Sequence, residues 1–120
     1  MTRRTLLVVE DEVDIRAALA AFLESEGFEV LTAGDGREAL EVLSGARPAA
    51  VVTDLMMPGM NGSELCRALA ASAALRSIPV ILMTAAPLPD GPDCPCAACL
   101  RKPFEIEDLL RAIALAVRPG

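Results

Sequence analysis

Short apolar runs that each end on a charged or hydroxyl residue constrain this chain more than any other feature. They are Thr5–Val9 followed by Glu10 and Asp11, Ala49–Thr53 followed by Asp54, Val80–Met83 followed by Thr84, and Ala97–Arg101 followed by Lys102. Leu6–Val9, Ala50–Val52 and Val80–Met83 are continuously apolar, as strands covered on both faces must be. They predict the centre of a parallel sheet. Glu29–Ala33 is more polar and Ala97–Arg101 is short, which suits sheet edges. If all five runs lie parallel, every terminal polar group emerges at one carboxyl edge, where open α/β sheets bind their ligands. Acids facing one lysine and one hydroxyl are suited to Mg²⁺ and a phosphoryl group.

Helical patterns lie between the runs. Ile15, Ala18, Leu19, Phe22 and Leu23 share one helical face, and Gly27 stops that helix. Ala39, Leu40 and Leu43 mark a second helix after Asp35-Gly36, ending near Gly45. Leu65, Cys66 and Leu69 mark a third, entered through the turn-rich stretch Pro58 to Gly62. Ile106, Leu109, Leu110, Ile113 and Val117 mark the last, with Glu105, Glu107 and Asp108 favourably placed against its dipole. Strand and helix therefore alternate, which predicts an α/β fold with a single doubly wound five-stranded parallel sheet. One link departs from the pattern. Prolines at 87, 89, 92 and 95 each remove a helical hydrogen bond and clash with the preceding turn, so the fourth crossover is expected to be shortened or irregular.

The 120 residues suit one domain, and a 53% hydrophobic content supplies one sizeable core. A net charge of −6 disfavours nucleic acid and anionic membrane as direct partners. No apolar run approaches the roughly 20 residues that cross a bilayer, and the start Met1-Thr-Arg-Arg4 has no cleavage signature, so the expected compartment is the cytoplasm. Four cysteines in a chain with an ample core are expected to be reduced thiols.

Taken together, Val8-Val-Glu-Asp-Glu12, Thr53-Asp-Leu-Met-Met-Pro-Gly-Met-Asn-Gly62, Met83-Thr-Ala85 and Lys102-Pro-Phe104 resemble the receiver domain of bacterial two-component response regulators. Any one motif alone would be weak, since a lone Asp or Thr at a strand end is usually a turn or cap residue. Four in the right order across the whole chain are specific. The resemblance implies a flavodoxin-like receiver fold over 1–120 with no output domain. It implies that Asp54 is the phosphoacceptor, attacking a phosphohistidine presented by a histidine kinase or phosphotransfer protein. It also implies that Mg²⁺ is held by Glu10, Asp11, Asp54 and the backbone carbonyl of Met56, with Thr84 and Lys102 on the phosphoryl oxygens and a cis Lys102–Pro103 peptide. The modified domain would then bind a downstream protein target through the 84–102 region and the last helix. It would catalyse only its own phosphorylation and slow dephosphorylation.

Three features bear on that expectation. The family commonly has an aromatic residue three positions before the lysine, and here that residue is Cys99, so the signal is expected to leave through the Pro-rich 86–96 segment. Met56 and Ala86 stand where the family tunes phosphoryl lifetime, and neither side chain can position an attacking water, which predicts slow loss of the phosphoryl group. Cys94, Cys96 and Cys99 could instead form a metal or redox site, but a closed zinc site needs four ligands; the chain has no His, and Cys66 is expected in the core. An aspartyl-phosphate-type phosphatase is the main alternative. Such enzymes place a second Asp two residues after the nucleophile, where this chain has Met56. A flavin carrier is weaker still, because Glu10-Asp-Glu12 occupies the place of a phosphate-binding loop.

Overall fold

The computed structural model describes residues 3–85 and 96–117. Five strands, β1 (Thr5–Val9), β2 (Glu29–Ala33), β3 (Ala50–Asp54), β4 (Val80–Thr84) and β5 (Ala98–Arg101), pair in parallel in the order β2-β1-β3-β4-β5. Four helices accompany them: α1 (Val13–Ser25), α2 (Gly36–Leu43), α3 (Gly62–Ala71) and α4 (Ile106–Ala116). This is the doubly wound, flavodoxin-like sheet that the alternation predicts. The three continuously apolar runs occupy its centre and the two weaker runs its edges. The reason is coverage: β3 and β4 are buried at every position, whereas every position of β2 and β5 except Ala33 is partly buried or exposed.

Strand alternation divides the interior into two cores. Leu7, Val9, Val51 and Leu82 face Ala39 and Leu43 of α2 and Leu65 and Leu69 of α3. Leu6, Val8, Val52, Ile81 and Met83 face Leu23 of α1 and Leu109 and Ile113 of α4. Each fully buried leucine or isoleucine stabilises the fold by about 1.5–3 kcal/mol relative to an exposed one, so these two layers hold the frame against which the edge is built.

The helices begin at the carboxyl edge through local chemistry. The Asp35 carboxylate accepts from the Glu38 amide at 2.8 Å. Asn61 accepts from the Glu64 amide at 2.9 Å while the Glu64 carboxylate accepts from the Asn61 amide at 3.1 Å, a reciprocal capping box. Gly27, at φ +97°, ends the α1 segment as its position predicts.

Some expectations shift. β3 includes Asp54 and β4 includes Thr84 because pairing of Asp54 with Met83 and of Thr84 with Arg101 extends the ladder, while β3 and β5 start one residue later, at Ala50 and Ala98. On α1, Leu19, Phe22 and Leu23 pack on the core as expected, but Ile15 is 40% exposed and Ala18 is exposed. The first turns of that helix overhang the end of the sheet. The expected irregular fourth crossover falls on 86–95, outside the described residues. No helix among the described residues is long and apolar enough to cross a membrane.

Candidate functional site

In-register parallel pairing brings separate parts of the sequence together. Val9 pairs with Thr53, so Glu10 and Asp54 are the next residues on neighbouring strands. Asp54 pairs with Met83 and Thr84 with Arg101, which brings Thr84 and Lys102 to the same edge. Face parity adds a constraint that register alone does not. Glu10 continues the series Leu6, Val8; Asp54 continues Ala50, Val52; Lys102 continues Ala98, Leu100; all three series lie on the α1/α4 side of the sheet. Three apolar stripes thus end on two acids and a lysine.

The resulting geometry is tight. Carboxylate oxygens of Glu10, Asp11 and Asp54 lie within 4.8 Å of one another, the one such acidic group among the described residues. Lys102 Nζ lies 3.4 Å from Asp54 Oδ1. Thr84 is buried beside them in the sheet, and its carbonyl accepts from the Lys102 amide at 2.7 Å. The Lys102–Pro103 peptide is cis, as expected. Asp54 is 8% exposed and Asp11 is exposed, so the cluster opens to solvent on one side.

Glu10 sits in an electrostatically unfavourable place. Burial, then the Asp54 charge, pushes its carboxyl from 4.5 up to about 7, against the opposing pull of Lys102. Its Oε2 is buried and has no hydrogen-bond partner, an arrangement that normally carries a penalty. A hard dication held by these oxygens would satisfy that atom and offset the mutual repulsion of three carboxylates, so the residues present fit Mg²⁺.

One supporting residue has no motif of its own in the sequence. The Arg16 guanidinium of α1 donates from Nη1 to the Glu10 carbonyl at 2.8 Å, tethering the helix to the strand end that carries both acids. Ile15 and Leu19 join Glu10, Met83, Lys102, Pro103 and Phe104 around a cleft of about 320 Å³ beside the acids. Among the thiols, Cys66 is buried in the α3-side core as expected, Cys96 packs partly buried against that core, and Cys99 is exposed on β5. Cys94 and Ala86 lie outside the described residues.

Comparison with known proteins agrees with this architecture. A family profile described as the response regulator receiver domain matches residues 6–114. The response regulator MprA of Mycolicibacterium vanbaalenii is 37% identical over 117 residues, covering 94% of this chain; the chain spans 50% of that relative's length. The receiver domain of a signal transduction histidine kinase from Syntrophus aciditrophicus superposes with a TM-score of 0.89 at 32% identity, covering 95% of this chain and 89% of that one. The receiver domain of the sensor histidine kinase PA1611 of Pseudomonas aeruginosa, solved with a magnesium ion coordinated in its active-site cleft, superposes with a TM-score of 0.87 at 26% identity, covering 97% and 98% of the two chains. With the profile spanning all but the ends of the sequence and solved receiver domains superposing on nearly the whole chain, it belongs to the response regulator receiver domain family of two-component signalling.

Proposed function

We propose that this receiver takes a phosphoryl group on Asp54 from a phosphohistidine of a histidine kinase or phosphotransfer protein. The reading rests above all on Glu10, Asp11 and Asp54 presenting oxygens within 4.8 Å of one another with Lys102 at 3.4 Å from Asp54. Glu10, Asp11, Asp54 and the Met56 carbonyl would hold Mg²⁺, whose contribution when bound is positive charge against the incoming anion. The Asp54 carboxylate is the nucleophile. Lys102 orients a phosphoryl oxygen by direct charge, and Thr84, buried at the end of β4, offers its hydroxyl to another. Most of the rate would come from positioning and charge, because phosphoryl transfer demands little further proton chemistry of the protein.

In this reading residues 1–120 form one receiver unit acting in the cytoplasm, and these residues themselves engage a protein target rather than nucleic acid, in keeping with their charge of −6. Displacement of Thr84 on modification passes to the 84–102 region and α4, with Cys99 rather than an aromatic residue three positions before Lys102. The Met56 side chain is 65% exposed and apolar, unable to hold an attacking water, so the phosphoryl group is lost slowly. Incubation with acetyl phosphate and Mg²⁺ followed by intact mass tests the proposal. The expected result is one phosphoryl group per chain, suppressed by EDTA; an unchanged mass from every small phosphodonor would reject it.

A further inference from the structure

Two glycines outside the acid cluster are held by space rather than by backbone conformation. Gly36 and Gly62 are the first residues of α2 and α3, and both are buried. Neither has positive φ; among the described residues only Gly27 and Gly59 do. At a helical position with room to spare, alanine is favoured over glycine by up to about 1 kcal/mol. Here there is no room. A methyl on Gly36 would lie 2.7 Å from Met60 Cγ, 2.8 Å from the Met60 carbonyl oxygen and 2.9 Å from Met60 Cβ. A methyl on Gly62 would lie 2.5 Å from the Asp54 carbonyl oxygen and 2.9 Å from Leu55 Cα.

Both glycines also bond to the segment they crowd. The Gly62 amide donates to the Leu55 carbonyl at 2.9 Å, and the Gly36 amide donates to the Met60 carbonyl at 3.2 Å. Between these two grips Met57 is anchored in the α2/α3 core, while the Met56 side chain stays exposed. Residues 55–60 are therefore fixed at both ends and in the middle, and this is the stretch that carries the Met56 carbonyl out of Asp54.

We propose that Gly36 and Gly62 are positioning residues for the cation site, forming a two-sided clamp in which the first turns of α2 and α3 set the course of residues 55–60. The inference rests on the Mg²⁺-dependent phosphoacceptor reading and deepens it. Neither glycine touches the reacting atoms. Each acts by letting a helix approach the segment more closely than any side chain would allow. A displacement on the order of 1 Å at a reacting centre can slow chemistry by about a hundredfold, so the clamp need yield only slightly to matter.

Gly36→Ala is the test, because its contacts are with Met60 and not with Asp54. Gly45→Ala, at the other end of the α2 segment and with nothing within 4 Å of an added methyl, is the matched control. Ile113→Val, in the opposite core, controls for loss of stability alone. Mg²⁺ affinity by calorimetry and the rate of acetyl phosphate labelling at saturating Mg²⁺ are read on all three. Gly36→Ala is expected to lower both by roughly tenfold or more, with both controls close to wild type. If Gly36→Ala does not fold, amide exchange in the wild type decides the matter, since coupling is reciprocal: Mg²⁺ should slow exchange of the Gly36 amide and leave that of Gly45 unchanged. A folded Gly36→Ala with wild-type affinity and rate, or a Gly36 amide indifferent to Mg²⁺, overturns the clamp. A wild-type chain that binds no Mg²⁺ overturns the phosphoacceptor reading and the clamp with it, so the two failures are told apart.

Discussion

Along β3, Ala50 and Asp54 are both buried, yet they stand at ends of the sheet with opposite chemistry. At the amino edge the strands enter through backbone bonds such as the Ala49 amide to the Thr5 carbonyl at 2.7 Å and the Ala97 amide to the Val80 carbonyl at 2.8 Å. At the carboxyl edge stand Glu10, Thr53, Asp54 and Thr84, the four buried polar or charged side chains among the described residues. Like charges gathered in a partly desolvated place lower stability, whereas buried aliphatic residues raise it. The contrast teaches that one sheet separates two tasks by position along its strands, with the frame at the middle and amino end and the reactive groups at the other.

Substitutions should therefore have opposite signatures at the two places. The largest effect is expected from Asp54→Asn, which should take up no phosphoryl mass from acetyl phosphate yet melt higher than wild type in EDTA, because a repelling charge is gone. A lower melting temperature for that variant would break the contrast. Next, Leu82→Ala, at a fully buried site on β4, should lose about 2–5 kcal/mol in denaturant unfolding while its folded fraction still accepts the phosphoryl group. Loss of labelling in folded Leu82→Ala would show that frame and edge are not separable.

A third effect concerns pH in the absence of divalent ions. The Glu10 carboxyl is raised from 4.5 to about 7, so the folded state holds its proton where the unfolded state has released it. Its contribution to stability is thus fully present below about 4.5 and is lost as pH rises through about 7. In EDTA, the wild type should lose stability across that window relative to Glu10→Gln, as read by urea midpoints of both proteins. Parallel curves would contradict the burial argument. The smallest effect is expected from Arg16→Ala. Losing its bond to the Glu10 carbonyl should cost about 1 kcal/mol of stability, read as a lower urea midpoint. An unchanged midpoint would remove Arg16 from the account of the edge.

Much of this was legible in the sequence because it was written in short-range pattern. The central strands declared themselves as unbroken apolar runs, and Glu10, Asp11, Asp54, Thr84 and Lys102 as the residues that close the runs or follow them directly. Other features depend on partners that pattern does not name. Strand ends moved by one residue because a ladder stops where its neighbour stops, as Asp54 with Met83 shows. Ile15 has the spacing of a core residue but overhangs the sheet, since periodicity fixes a face and not how far the layer beneath it extends. Arg16 reaches Glu10 through a long side chain that leaves no periodic trace. Gly36 and Gly62 read as turn residues in sequence, and only three dimensions reveal that the missing methyl is what matters.

The most direct test of the central claim is to locate the modification itself. After acetyl phosphate and Mg²⁺ treatment, borohydride reduction should convert an acyl phosphate at residue 54 to homoserine, identified by peptide mass mapping. The account predicts that product at Asp54 alone and its disappearance in EDTA. The reduced alcohol at another acid, homoserine from an Asp or 5-hydroxynorvaline from a Glu, or undiminished phosphoryl uptake by Asp54→Asn, would contradict it.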